Sequence, residues 1–467
     1  MQGGRPVLIL RWFDFMRISS LRGDRAFLRK LTTLTIPIAL QSLLLASVSA
    51  ADAFMLGRLD QNSMAAVSLA TQVQFIMTMF IMADTSTGSV LASQYYGKKD
   101  EQTVGDIFNM MLRSMTVIDV MFWALCCFSP RPLMLFFTND PVLIDIGCRY
   151  LRIAGWSYLL VGFSQCYHTV MKIPGHARMS MWISLASVMS NIILNAVLIF
   201  GLFGAPALGP EGAAIATLIS RVIELAWCVL VSMRKDYIRP NLERLLYYRK
   251  ELVIDSLKIA APVLGSALLW GIGFTSYTAI VAHMGSDAAA ANSIASVVRD
   301  LICSLCNGVA TAGGIILGIE LGAGEIETAR TDGRRLRDLS FVIGILSMVV
   351  LLALTPAVVH LMKMTPEAKS YLTGMMVIQA VYMIGRCVNT VTINGVFYTG
   401  GDAIFDTYSL IVMMWCIAIP AALLGAFVFH WPVLVVYSCT CVDEVGKIPW
   451  VMIHFRKYKW LKNLTRD

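Results

Sequence analysis

Apolar blocks separated by short polar stretches run the length of this 467-residue chain. A block of about 18 residues or more crosses roughly 30 Å of hydrocarbon as a helix. Twelve such spans are predicted, at 33–57, 64–94, 104–128, 142–168, 177–203, 211–233, 252–282, 288–318, 334–360, 368–398, 403–428 and 431–455. The blocks lack the period-2 alternation of strands, which excludes a membrane barrel. An all-α polytopic membrane protein is expected. The connections are too short to hold a separate soluble domain.

The pattern repeats itself. Pro37 to Gly97 aligns without a gap onto Pro262 to Gly322, 225 residues downstream. Identical residues include Pro37/Pro262, Ala65/Ala290, Ser68/Ser293, Val73/Val298, Gly88/Gly313 and Gly97/Gly322. A second pair of turns agrees, Pro174-Gly175-His176-Ala177 with Gly400-Gly401-Asp402-Ala403. Six spans per half is an even number, so both halves enter from one side. The repeat is therefore parallel, with a pseudo-two-fold axis along the membrane normal. The expected division is a basic N-terminal segment (1–32), an N-lobe (33–233), a linker (234–251), a C-lobe (252–456) and a basic tail (457–467). Internal repeats of this kind build transporters whose site lies where the halves meet.

Composition agrees: 57% of residues are hydrophobic and 15% charged, against about 25% charged in a soluble domain. The net charge of +8 is explained by its placement and does not point to nucleic acid. Basic residues crowd the segment before span 1, the linker, the connection after span 8 (Arg330, Arg334, Arg335, Arg337) and the tail. Lys98, Lys99, Lys172 and Arg178 join them on the same side, while the opposite loops hold Arg58, Arg131, Lys363 and Lys369. The positive-inside rule then puts both termini in the cytoplasm of a cell-membrane protein. Val7 to Leu10 is too short for a signal-peptide core, so residues 1–30 are expected to lie on the inner leaflet. Met16 is a second candidate start. The eleven cysteines are scattered, and Cys303 and Cys306 have no second pair to complete a metal site. No catalytic constellation or phosphate loop is present, so an enzyme is not expected.

Polar residues inside spans are the functional candidates. Asp52 lies about 8 Å below the outer end of span 1 at Gly57-Arg58. A charged Asp within a span costs about 2.5–3.5 kcal/mol at its centre, so such residues face interior cavities. A carboxyl so placed can bind a proton or sodium ion and lose it when a cationic substrate arrives. The alternative is an interfacial Asp wetted by the outer surface. Asn191 and Asn195 are four apart on one face of span 5, at a depth matching Asp52. An amide–carboxylate network and plain helix–helix hydrogen bonding stand as equal readings. Asp84 either lines the inner vestibule or pairs with a basic residue. Arg221 with Glu224, three apart, and Asp443 with Lys447, four apart, are expected to form intrahelical pairs. Arg299 and Asp300, adjacent, are expected to point apart. Methionines and aromatics are abundant (27 Met), and flexible Met-rich walls suit varied apolar ligands.

Several stretches resemble the MATE (multidrug and toxic compound extrusion) family of the MOP flippase/exporter superfamily. They are Asp52-Ala-Phe-Met-Leu-Gly-Arg-Leu, Ala65 to Gln72, Ala92-Ser-Gln-Tyr-Tyr-Gly97, Asn191-Ile-Ile-Leu-Asn195, Gly212 to Thr217, and Thr399-Gly-Gly-Asp402 with Trp415 and Pro420. The resemblance covers about 35–465. It implies a twelve-helix, two-lobed exporter, H⁺ or Na⁺ its coupling ion and no other cofactor, that carries small organic, often cationic compounds. A monomer in contact with membrane lipid is expected. Asp52 stands where the family's first-helix acid stands, and Asn191 and Asn195 fall on its fifth-helix polar positions. Asp84, Gln72, Trp270, Tyr277 and Asn389 are the expected lining of the cleft. Two positions depart from the sodium-coupled branch: Trp270 replaces its seventh-helix Glu, and Asn389 its tenth-helix Asp. Coupling through the N-lobe is therefore expected. A lipid-linked saccharide flippase is the runner-up, and it would need a strongly cationic cavity. Arg113, Arg149, Arg152, Arg221, Arg299, Arg386 and Lys447 lie in or near spans.

Overall fold

In the computed structural model, which describes residues 25–466 apart from 246, 248 and 363, each predicted span forms one long helix. These are α1 (Arg25–Gly57), α2 (Gln61–Gly97), α3 (Glu101–Phe128), α4 (Pro141–Lys172), α5 (Ala177–Phe200) and α6 (Pro210–Ser232). The second half supplies α7 (Lys250–His283), α8 (Ser286–Gly322), α9 (Ile326–Leu361), α10 (Pro366–Gly400), α11 (Ile404–Val428) and α12 (Val433–Phe455). A short helix, Pro130–Phe137, which the hydropathy pattern does not show, joins α3 to α4. Ten of the twelve are long and apolar enough to cross a membrane by composition alone. The other two fall short for different reasons: α12 carries three close-set charges, Asp443, Glu444 and Lys447, whereas the uncharged part of α4 is diluted by Ser157, Ser164, Gln165 and His168. Residues 1–24 of the expected N-terminal segment 1–32, with Met16, and Lys363 lie outside the described residues.

Local chemistry sets the helix ends. Asp60 caps α2 by accepting the Ser63 N–H at 2.7 Å, and Asp100 caps α3 through Thr103 N–H at 3.0 Å. Each satisfies an amide that the first helical turn leaves without a partner. Proline stands at the first position of α4, α6 and α10, where its missing N–H costs nothing. Gly201, at φ 71°, ends α5 in the left-handed conformation that side chains disfavour.

Within the N-lobe, α1 packs on α5, α3 on α4, and α6 on both α4 and α5. Within the C-lobe, α10 packs on α8, α9 and α12, and α7 on α11. The lobes meet through α1 and α2 against α7 and α8, the four helices of the 225-residue repeat. Their closest approach is at the basic end. A Cβ at Gly97 would strike the Ile319 backbone, and a Cβ at Gly322 the Gln94 backbone. Gly308 approaches Ala39 in the same half of the membrane. The basic end is thus shut by backbone contact.

The tail and linker reinforce that closure. Trp460 is fully buried, seated over Gly333 and Gly400. Beyond it, the Leu464 N–H donates to Gln94 Oε1 at 2.6 Å, while Gln94 Nε2 donates to the Thr399 carbonyl at 2.8 Å. The linker lies on α3, where Asn109 Nδ2 donates to the Asn241 carbonyl at 2.8 Å and Arg113 to the Tyr247 carbonyl at 2.7 Å.

Candidate functional site

The N-lobe gathers its candidates on three helices. Asn195 Nδ2 donates to Asp52 Oδ1 at 2.5 Å and to Asn191 Oδ1 at 3.1 Å. Asn191 Nδ2 passes the chain on to Thr217 Oγ1 on α6 at 3.2 Å. Asn191 and Asn195 are buried and Asp52 is half-buried. The four-residue spacing on α5 puts both amides on one face, and the packing of α1 on that face delivers the carboxylate. Asn195 Oδ1 has no hydrogen-bond partner among the described residues. The cluster therefore holds more acceptors than donors, a donor set that fits a proton or a small monovalent cation. Arg221 is the cation whose charge reaches Asp52, but its guanidinium is bound to Glu224 at 2.6 Å.

Glu224 belongs to a second buried network. His168 Nε2 lies 3.0 Å from Glu224 Oε1 and its Nδ1 2.8 Å from Ser180 Oγ. Ser180 and Ser184 in turn hold Gln41 of α1, at 3.2 and 2.7 Å. This network ties α1, α4, α5 and α6 into one body behind Asp52. Sequence reading finds the Arg221–Glu224 pair but not His168, because its partners come from two other helices at separations no local pattern records.

Asp84 differs from both expectations. It does not line the large cavity between the lobes, and among the described residues it forms no ion pair with a basic residue. Its carboxylate accepts the Ser114 hydroxyl at 2.5 Å inside the N-lobe, with Asp119 within electrostatic reach. Asp119 is wholly buried and both its oxygens lack hydrogen-bond partners among the described residues. Gly162 makes room for it, since a Cβ there would strike the carboxylate.

Between the lobes lies a large cavity, about 1890 Å³ of space free of protein atoms with the open solvent at its mouth included. Phe75, Met79 and Met82 of α2 and Trp270 of α7 form its apolar part. Arg386, Asn389, Asp406, Glu444 and Lys447 form the polar C-lobe wall, and Lys172 stands on the N-lobe wall. Lys172 is thus not simply one of the basic surface residues, as its place in the chain implies. It ends α4 with its side chain turned inward. In α10 the helix passes into wider π-helical turns at Thr390–Phe397, and Thr390, Ile393 and Asn394 face the cavity there. Such turns recur at functional sites.

The C-lobe wall is internally paired. Arg386 Nη1 contacts Glu444 Oε1 at 2.8 Å, and Asn389 Nδ2 donates to Glu444 Oε2 at 2.6 Å. Asp406 accepts the Tyr398 hydroxyl at 2.6 Å. Glu444 is therefore tied to α10, and Asp443, expected to pair with Lys447, instead accepts the Glu444 N–H at 2.8 Å. Tyr277 lines a separate small pocket with Arg299, Gln379 and Asp443. Gln72 is exposed about one turn beyond Phe75 and outside both linings. Arg299 corrects another expectation: its guanidinium curls back onto neighbouring Asp300 at 2.9 Å, because a long side chain can reach where Cβ directions diverge.

Comparison with known families matches this arrangement twice, the MatE profile aligning with residues 37–197 and again with 262–424. The chain belongs to the MatE family. The two MatE matches start 225 residues apart, at Pro37 and Pro262, which is the repeat read from the sequence. Among relatives, the chain is 25% identical over 404 residues to the uncharacterized transporter YisQ of Bacillus subtilis (strain 168), covering 86% of this chain and 88% of that one. It is 24% identical over 402 residues to the probable multidrug resistance protein YoeA of the same organism, covering 84% and 86%. A solved MOP superfamily transporter from Pyrococcus furiosus Vc1 shares the fold, with a TM-score of 0.84 at 18% identity over 95% of this chain and 97% of that one. The protein is thus a multi-pass, two-lobed membrane transporter of the MatE family.

Within this MatE chain the cationic residues near spans are mostly committed. Arg221 is bound to Glu224, Arg299 to Asp300 and Arg386 to Glu444. Arg149 reaches Glu211 at 3.1 Å on the exposed side of α4. Arg152 is exposed.

Proposed function

We propose that the protein is a cation-coupled antiporter that exports small organic compounds, drugs among them, by alternating access, with H⁺ or Na⁺ as the coupling ion and Asp52 as its N-lobe carboxylate. One observation carries the reading. Asp52 is held by an amide, and among the described residues no Lys or Arg forms an ion pair with it. A carboxylate within a span and without a salt bridge must find its counter-charge elsewhere, and an exchangeable cation supplies it. The shut basic end and the large interlobe cavity support a resting form open to the opposite side. The positive-inside distribution makes the basic end cytoplasmic, with both termini there and the cell membrane as its location. The relatives' names support drug export. A monomer is sufficient, since each chain carries both lobes. The flippase reading is weaker, because it needs a strongly cationic cavity, whereas Arg386 is neutralised by Glu444 and, among the described residues, Lys172 is left as a single unpaired cation on the lining.

The test is dye transport in everted vesicles under imposed pH or Na⁺ gradients. Gradient-driven uptake that disappears in Asp52→Asn supports the antiporter. Full coupled transport in Asp52→Asn would remove Asp52 from the mechanism. The gradient that drives uptake identifies the ion.

A further inference from the structure

The central cavity is amphipathic, and its charges do not balance across the lobes. The C-lobe wall holds two cations, Arg386 and Lys447, and two carboxylates, Glu444 and Asp406. Glu444 is engaged by Arg386 and Asn389. Asp406 is engaged by Tyr398, and Lys447, itself buried, lies within electrostatic reach of both carboxylates. That wall is neutral as a unit. Neither carboxylate is free to hold a cationic ligand without breaking its present bonds.

The N-lobe wall has no such balance. Gln165, Thr169 and Lys172 stand four and then three residues apart on α4, a spacing that aligns them on one face, and all three line the cavity. Among the described residues Lys172 forms no ion pair, and its ammonium makes no hydrogen bond. A lysine that only answers the C-terminal dipole of its helix needs neither an inward aim nor a polar stripe leading to it. Lys172 lies towards the shut basic end, while Phe75, Met79 and Met82 lie further from it along α2. The cavity thus offers an apolar and aromatic upper part and one unpaired ammonium near its floor.

We infer that the exported compound is an amphipathic organic anion, its aromatic or aliphatic body against Phe75, Met79, Met82 and Trp270 and its carboxylate, sulfonate or phosphate group at Lys172. The inference rests on the cavity being the substrate path of the antiporter proposed above. An anionic headgroup gains a charge-assisted contact in a poorly solvated floor. A cationic body of the same size meets an ammonium that nothing neutralises.

The test uses two xanthene dyes of similar size and opposite charge, fluorescein and rhodamine 6G. Binding to purified protein in nanodiscs of zwitterionic lipid is read by fluorescence anisotropy, which requires no transport. Fluorescein is expected to bind at least about tenfold tighter than rhodamine 6G, a gap of about 1.4 kcal/mol. Lys172→Gln is expected to erase that preference and Lys172→Arg to keep it. Tighter binding of rhodamine 6G to the wild-type protein overturns the inference, and so does an undiminished preference in Lys172→Gln. The wild-type comparison stands even if a variant fails to fold. Binding of fluorescein with no gradient-driven movement of either dye in vesicles would instead count against the antiporter reading alone.

Discussion

Gly97 and Gly322 perform one contact twice. Each is a repeat mate of the other, and each packs against the other's helix, Gly97 on Ile319 and Gly322 on Gln94. Ile319 and Gln94 are themselves repeat mates, 225 residues apart. The pseudo-two-fold axis therefore passes between α2 and α8 at the basic end. Both positions lack a Cβ at the point where two backbones touch, as close helix packing in membranes requires. Replacing either glycine by valine is expected to force the helices apart, at about 1–3 kcal/mol. Spin labels on α2 and α8 should report a wider basic end in Gly322→Val, and an unchanged distance would show that the glycine does not set this approach.

Asn195 should matter to coupling in proportion to its bond with Asp52. Hydrogen bonds to charged groups contribute about 1.5–3 kcal/mol. Asn195→Ala is expected to lower gradient-driven transport by roughly one to two orders of magnitude. Asn191→Ala, one bond further from the carboxylate, is expected to lower it less. Equal losses in both variants would mean that the amides serve helix packing alone.

The Arg386–Glu444 pair offers a double-mutant cycle. Breaking a buried pair by removing one partner costs about 3–5 kcal/mol, whereas replacing both by apolar residues of like volume can be neutral. Glu444→Leu should lower the thermal midpoint strongly, and Arg386→Met with Glu444→Leu should recover most of the loss. A double variant no better than additive would show that the two residues act separately.

Asp60 tests acid sensitivity outside the membrane-spanning helices. The Ser63 hydroxyl and N–H, at 2.5 and 2.7 Å, hold its carboxyl below the usual carboxylate range. A folded value below the unfolded one means that the cap contributes fully above the unfolded value near 4 and fades as pH falls through the folded value. Asp60→Ala is expected to cost about 1 kcal/mol at neutral pH, and less as pH falls through the folded value. A pH-independent difference in thermal midpoint between the two proteins would contradict this account.

Trp460 anchors the tail under the lobes. It is buried to the last atom in a segment with no helix of its own. Trp460→Ala is expected to cost about 3–5 kcal/mol and to free Leu464 from Gln94. Proteolysis of the tail should accelerate in that variant. An unchanged cleavage rate would show that the tail's hydrogen bonds hold it without the indole.

The helices were the legible part of this protein. Each of the twelve predicted spans is a helix within a few residues or one to two turns, since apolar length and end caps are local properties. The short Pro130–Phe137 helix escaped because eight residues carry too little periodicity. The site was half legible. Asp52, Asn191 and Asn195 stood out as polar residues at one depth, and depth is counted along a single helix. Lys172 did not, because its position among basic residues says nothing of which way it turns.

Sequence alone determined an all-helical membrane protein of two parallel halves, because length, hydropathy and the repeat are written along one dimension. The tertiary structure decided which polar groups are partners. Asp84 found Ser114, Glu444 found Arg386 rather than a neighbour on its own helix, and Arg299 returned to Asp300. A helix assigns each residue a face, but the residue opposite that face belongs to another helix, and only packing selects it.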